Sequence, residues 1–336
     1  MKIRLPAEWE QQDGVVMAWP ICTTDWNENL IAVQETYVQI ISQIADHQLV
    51  LLMAPTNEPT QFFSPKLQKN IRIIHVPYND TWTRDYIGLS IEKESQIHLL
   101  NFEFNAWGEK FDFCRDNRVN ELFEKNNLFK HTTIAIPFIL EGGSIECNGD
   151  GVLITTSECL LHPNRNLSYS KLEIEALLKS TFGVHSVIWL NSGGIKGDDT
   201  NSHIDTLVRF CDKKTLVYAK DESTELIEME NELKKHFRNK AFNLIPIYQP
   251  QCKTFKKRNL PASYVNFLIT NKKVLVPIYN DKNDQLAIST LQRLFTNRKV
   301  VGINCNELIK QNGSLHCITM HLHKGILKQF PHEQNN

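Results

Sequence analysis

Short apolar runs alternate with amphipathic helical stretches from one end of the chain to the other, and no Ser/Gly/Pro tract, low-complexity segment or run of five like charges interrupts them. Between Asn29 and Ala45, the residues Leu30, Val33, Tyr37, Ile40, Ile41 and Ile44 recur at helical spacing behind Asp25. Strand-like runs follow at 49–53 and 71–76, then at 132–138 and 152–156. A helix is expected over 171–181, closed by Gly183, a residue suited to a left-handed C-cap. Strands at 186–190, 215–219, 274–278 and 300–303 alternate with helices at 226–237 and 284–295. This is the pattern of an α/β chain, and no half of it stands apart. One domain spanning 1–336 is expected.

Composition narrows the function classes. The 336 residues carry 37 Lys and Arg against 38 Asp and Glu, a formal charge of −1, where a nucleic-acid binder carries a basic excess. The longest apolar stretches, such as 49–54, fall far short of the roughly 18 residues a membrane span needs. Met1-Lys2-Ile3-Arg4-Leu5-Pro6 lacks the apolar centre of a signal peptide. Eight cysteines are too sparse for a disulfide scaffold and suit a reducing compartment. The expectation is a soluble cytoplasmic protein with no nucleic-acid or membrane partner.

Four turn-rich segments beside the strands hold the polar residues that need explaining: 79–85, 140–144, 197–205 and 312–317. In an extended His203-Ile204-Asp205, imidazole and carboxylate would share one face while Ile204 turns to the core. Glu141 precedes Gly142 and Gly143, whose lack of a side chain suits close backbone approach or positive φ. Arg84 beside Asp85 reads most simply as a surface ion pair, although Trp82 next to an acid also makes a clamp for a planar cation. Cys147, Cys159, Cys211 and Cys305 sit in or beside apolar runs, as buried thiols do. Cys317 follows Gly313-Ser314 and adjoins His316, where an imidazolium or backbone amides would lower its pKa. His316, Cys317, His321 and His323 are close in sequence, but no C-x-x-C occurs, and on a strand His321 and His323 would face away from His316. No metal and no organic cofactor is expected. One cysteine, one histidine and several carboxylates exceed what a Cys-His protease needs. The surplus acids call for a cation, and guanidinium matches carboxylates bidentately.

The segments Pro6-Ala7-Glu8-Trp9, Ala18-Trp19-Pro20, Asn79-Asp80-Thr81-Trp82-Thr83-Arg84-Asp85, Asn101-Phe102-Glu103-Phe104-Asn105-Ala106-Trp107-Gly108, Leu140-Glu141-Gly142-Gly143-Ser144, Lys196-Gly197-Asp198-Asp199-Thr200, His203-Ile204-Asp205-Thr206 and Gly313-Ser314-Leu315-His316-Cys317 run in this order over nearly the whole chain. In that order and spacing the chain resembles the agmatine deiminase and bacterial-type peptidyl-arginine deiminase family of guanidino-group modifying enzymes. The resemblance implies a pentein α/β-propeller, five pseudo-symmetric units around a central cleft. It implies Cys317 as nucleophile, His203 as general acid/base and Glu141 as the carboxylate that orients it. It also implies Asp85 and Asp205 gripping the guanidinium, with Trp82 lining the pocket. Where agmatine-specific members carry Glu four residues before the histidine, this chain carries Asp199, a further substrate-binding candidate. The run before the cysteine motif, Gln311-Asn312-Gly313, is also thinner in glycine than the family's. The implied reaction is hydrolysis of agmatine to N-carbamoylputrescine and ammonia through a covalent cysteine–amidino intermediate, in putrescine biosynthesis. Deimination of free or peptide-bound arginine is the alternative, amidino transfer a third reading, and a homodimer the assembly left open.

Overall fold

The computed structural model describes residues 3–328; Met1 and Lys2, part of the leader reading above, lie outside them. Five of the six sheets among the described residues repeat one order: a short strand antiparallel to a middle strand, which lies parallel to a third. Ile145–Cys147, Val152–Thr156 and Ser186–Leu190 make one such sheet. Val208–Phe210, Thr215–Lys220 and Asn243–Tyr248 make the next. Leu268–Ile269, Lys273–Ile278 and Lys299–Asn304 repeat it. Leu89–Lys93, Gln96–Glu103 and Ile134–Ile139 do the same, with Ile3–Arg4 added at the edge. In the remaining sheet the short antiparallel strand comes from the far end of the chain, Met320–His323, against Gln12–Ala18 and Leu49–Met53, with Ile71–Ile74 beyond.

A helix carries the chain between each pair of parallel strands, as parallel pairing requires. Leu30–Ala45 does so in the first sheet, burying Val33, Tyr37, Ile40, Ile41 and Ile44 completely. Val119–Lys125, Lys171–Phe182, Thr224–Phe237 and Asp284–Leu294 follow in the others. Lys171–Phe182 starts in a capping box of Ser170 and Glu173 and stops at Gly183, whose φ of 65° is left-handed as expected. A Cβ at Gly183 would also stand 2.0 Å from the Ile3 carbonyl oxygen, so only glycine fits. Middle strands such as Val152–Thr156 are buried on both faces and read as unbroken apolar or β-branched runs. No helix among the described residues is long and apolar enough to cross a membrane.

Candidate active site

The segment leading into the antiparallel strand of each repeated sheet carries a residue of one cluster. Asp85 lies in the helical turn Thr83–Tyr86 ahead of Leu89–Lys93, and Glu141 ahead of Ile145–Cys147. His203 and Asp205 precede Val208–Phe210, Asn266 precedes Leu268–Ile269, and Cys317 precedes Met320–His323. The sequence separates these groups by up to 232 positions, and the repeated topology brings them together.

The glycines show how tightly. A Cβ at Gly143 would lie 2.6 Å from His203 Nδ1, 2.9 Å from Asp85 Oδ1 and 3.2 Å from Asp205 Oδ2. One at Gly142 would lie 2.2 Å from the Arg84 carbonyl. Close approach, not positive φ, is what the glycine pair supplies. The expected extended His203-Ile204-Asp205 is instead a 3₁₀ turn at Ile204–Thr206. Ile204 is still fully buried, and both polar residues reach the same space beside Gly143.

Asp85 is buried, and it is not the partner of a surface Arg84. Its Oδ1 accepts from Gly143 N at 2.9 Å and its Oδ2 from Trp107 Nε1 at 3.0 Å. Trp107 holds left-handed backbone angles (φ 57°), a strained conformation for a bulky residue that this contact helps retain. Arg84 is buried too, and points toward Glu8 at 3.8 Å and His321 Nδ1 at 3.2 Å. Asp205 Oδ2 accepts from His316 Nδ1 at 2.7 Å, while its Oδ1 is buried without any partner. A partnerless buried carboxylate oxygen is costly unless a donor arrives.

Cys317, half-buried, stands 4.0 Å from Asp205 Oδ2 and receives a hydrogen bond from Asn266 Nδ2 at 3.3 Å. The other end of that amide is fixed, because Asn266 Oδ1 accepts from His316 N at 2.9 Å. Desolvation pushes the thiol well above its usual pKa, and Asp205 and Asp85 push the same way. The expected lowering by His316 is overturned. The His316 ring turns away to Asp205 and, through Nε2, to Glu8 Oε2 at 2.8 Å. His321 does not face away from His316 either; it comes within 3.8 Å of the same Glu8 carboxylate.

His203 Nδ1 lies 3.8 Å from Asp85 Oδ1, and its Nε2 is buried without a hydrogen-bond partner. Burial alone would lower its pKa, but Asp85, with Cys159 and Glu141 nearby, outweighs burial and raises it to about 10. Asp85 is pushed up to about 6 by burial, against the opposing charge of His203. Glu141 is fully buried, with Arg165 Nε 2.8 and 3.0 Å from its two oxygens. One ligating atom each of Glu141, Cys159 and His203 lie within 4.8 Å of one another, a spacing that could hold a metal ion. The Arg165 cation already occupies the carboxylate there. Trp82 stacks against the loop before the cysteine: a Cβ at Gly313 would fall 2.1 Å from its Cζ3.

A cleft of about 950 Å³ adjoins this cluster and is lined by Asp198, Asp199, Asn201, Ser202 and Lys110, but not by Cys317 or His203. Asp199 Oδ2 accepts from Asn312 Nδ2 at 2.8 Å, and its carbonyl accepts from Lys110 Nζ. Thus Asp199 bridges the cleft and the loop carrying Cys317. Asn266, Glu8, Arg165 and Trp107 are the side chains at or behind the cluster to which the sequence assigned no role. For Asn266 and Arg165 it offered no local signal; Glu8 and Trp107 lay within matched motifs.

The family model for Porphyromonas-type peptidyl-arginine deiminases matches residues 4–322. The chain belongs to this family. Among solved structures it resembles a C. jejuni agmatine deiminase, a cysteine-to-serine variant with substrate bound, at 38% identity and TM-score 0.91 over 96% of this chain and 97% of that one. It also resembles an agmatine deiminase of Enterococcus faecalis, at 27% identity and TM-score 0.87 over 96% of each chain. An amidinotransferase from Microseira wollei, at 12% identity and TM-score 0.59 over 97% of this chain and 99% of that one, shares the fold alone. As a deiminase-family member the protein thus has a mixed α/β architecture common to guanidino-group enzymes.

Proposed function

We propose that this protein hydrolyses the guanidinium of agmatine to N-carbamoylputrescine and ammonia, with Cys317 as nucleophile. The observation that carries the reading is the anionic pocket itself: Asp205 Oδ2 stands 4.0 Å from Cys317 Sγ, Asp85 Oδ1 borders the same space beside Gly143, and Asp205 Oδ1 is buried with no donor. A planar cation satisfies it and offsets both the burial and the repulsion that raise Asp85 and Cys317. The same cation, seated beside the sulfur, lowers the thiol pKa and yields the thiolate at the moment of attack. The agmatine deiminases that this chain resembles support the substrate. The fivefold repeat of sheets, with the first completed by the C-terminal strand, supports a single pentein domain with five units around the site.

The thiol loses its proton to solvent as the cation binds, and Cys317 Sγ adds to the guanidinium carbon. His203, protonated at neutral pH, gives its proton to the departing ammonia and leaves an amidino-thioether. Neutral His203 then takes a proton from water, which adds to the same carbon. Collapse of that adduct breaks the C–S bond and releases the ureido product. Glu141, held by Arg165, has a carboxylate oxygen within 4.8 Å of a His203 ring nitrogen and acts on the imidazolium through its charge. Asp199, on the wall of the adjoining cleft, is the carboxylate offered to the distal ammonium of agmatine.

Arginine is the second reading, favoured by Lys110, which lines the same cleft and offers a cation to an α-carboxylate. Assaying ammonia and ureido product with agmatine, arginine and a peptidyl-arginine separates the two. Turnover of agmatine well above the others is expected; efficient turnover of arginine or peptide without agmatine would reverse the assignment.

The pH dependence follows from the clamp. A bound cation favours ionised Asp85, so agmatine affinity should be full above its value of about 6 and fall as the pH drops through it. Calorimetry in the Cys317→Ser background measures this. Asp85→Asn should weaken binding and flatten that acid limb. A limb that persists in Asp85→Asn would belong to Asp199, which burial and Asp198 also push up to about 6.

A further inference from the structure

Behind the cluster lies a second line of buried polar groups that the reaction does not touch. Glu8 Oε1 accepts from Ile269 N at 2.7 Å, and its Oε2 accepts from Arg209 Nη2 at 2.8 Å. Arg209, fully buried, also donates to Glu146 Oε2 at 2.9 Å and to the Phe267 carbonyl at 2.6 Å. Glu8 is thereby fixed from two directions before it meets His316. The His316 imidazole spans Glu8 Oε2 and Asp205 Oδ2 at 2.8 and 2.7 Å, and its backbone is pinned by Asn266.

The geometry points to Glu8 and His316 as positioning residues that set the orientation of the Asp205 carboxylate, and so the direction in which its free oxygen meets a guanidinium. This rests on the substrate reading above and adds to it. A carboxylate turns freely about its last bond, with a broad torsional preference. Fixing one oxygen stops that rotation and leaves the other aimed. In Asp205 the fixed oxygen is Oδ2 and the aimed one is Oδ1, buried and without a partner. His316 touches Asp205 through Nδ1 only, and Nε2 passes the restraint back to Glu8. The Glu8–His316–Asp205 line thus works as outer-shell partners do at metal sites, where losing one costs about 10–100-fold. Arg84 and His321, each 3.8 Å from Glu8 Oε2, flank the line without contacting Asp205.

The test exploits the two ring nitrogens. In His316→Asn the amide nitrogen stands near the place of Nδ1 and still reaches Asp205; in His316→Gln it stands near Nε2 and reaches only Glu8. In the Cys317→Ser protein, calorimetry should find agmatine affinity in His316→Asn within about threefold of the parent, and in His316→Gln weakened by about tenfold or more. In an Asp205→Asn background the effect of His316→Gln should shrink below about twofold, because a residue acting through another loses its effect with it. Equal losses in Asn and Gln, or a His316→Gln effect that persists in Asp205→Asn, would overturn the proposal and leave these groups a purely structural role. Should His316→Gln not fold, Glu8→Gln enters the same cycle: like His316→Asn it keeps the Asp205 contact, so its loss should stay within about threefold and vanish in Asp205→Asn, and a loss that persists there would overturn the proposal. If the Cys317→Ser parent binds no agmatine, the substrate reading fails and takes this one with it. If the parent binds and the cycle shows no coupling, this one fails alone.

Discussion

Cys317→Ser is expected to end turnover while leaving the fold and agmatine binding in place. The structure gives the sulfur a burden that only a thiol can carry. Burial, Asp205 and Asp85 already hold its pKa well above the usual value, and the incoming cation must bring it down. A serine hydroxyl starts far higher and stays protonated. The loss should be on the order of 10⁶ in kcat, the scale seen when subtilisin loses its nucleophile. Ammonia release checks the rate, and thermal unfolding checks the fold. Cys147→Ser and Cys211→Ser should keep most activity, because neither thiol contacts the cluster. Cys147 lies near the Leu5 carbonyl and the Gly149 amide, and Cys211 is buried in the core. Near-normal turnover in Cys317→Ser would end the nucleophile assignment.

Glu141→Gln is expected to damage both stability and rate, for separable reasons. Glu141 and Arg165 are completely buried in their side chains, and Arg165 keeps only neutral acceptors at Asn201 Oδ1 and the Thr200 carbonyl once the carboxylate is gone. Stranding a buried charge costs about 3–5 kcal/mol. The rate should fall as well, because an anion beside His203 is lost. In serine proteases, removing the carboxylate that orients the histidine costs about 10⁴. Replacing both partners, Glu141→Gln with Arg165→Met, removes the stranded charge. Chemical denaturation should show most of the stability regained, while the ammonia assay shows the rate still low. Recovery of both would make the pair structural only; a rise in KM at unchanged kcat would make Glu141 a binding residue.

What the sequence made legible follows from range. The helix at Leu30–Ala45 and the strand at Val152–Thr156 write their burial into local periodicity, and the left-handed cap at Gly183 is a local rule. The antiparallel strands that place the site are too short to alternate: Leu268–Ile269 has two residues, and Val208–Phe210 three. Cys317, His203, Asp85 and Asp205 were readable because each sits in a motif matched to a known family. Asn266 was not, since nothing around Tyr264-Val265-Asn266-Phe267 announces that its amide will meet a sulfur 51 positions away. The His316 ring was assigned to the wrong neighbour for the same reason. Adjacency in the chain suggested Cys317, but the ring lies between Asp205 and Glu8, 111 and 308 positions distant.

In the proposed mechanism Asp85 and Asp205 draw a planar cation onto the sulfur of Cys317. Chloroacetamidine tests it, because its amidinium presents the same charged fork as guanidinium and its carbon–chlorine bond alkylates a nearby thiolate. Cys22, Cys114 and Cys252 are exposed, whereas Cys317 is only half-buried and carries a raised pKa. Accessibility alone therefore favours those three. Peptide mass mapping after partial labelling is predicted to find the adduct first on Cys317, blocked by agmatine and strongly slowed in Asp85→Asn and Asp205→Asn. Labelling that begins at the exposed cysteines, with Cys317 slow and indifferent to agmatine, would mean that the carboxylates draw no cation to this sulfur.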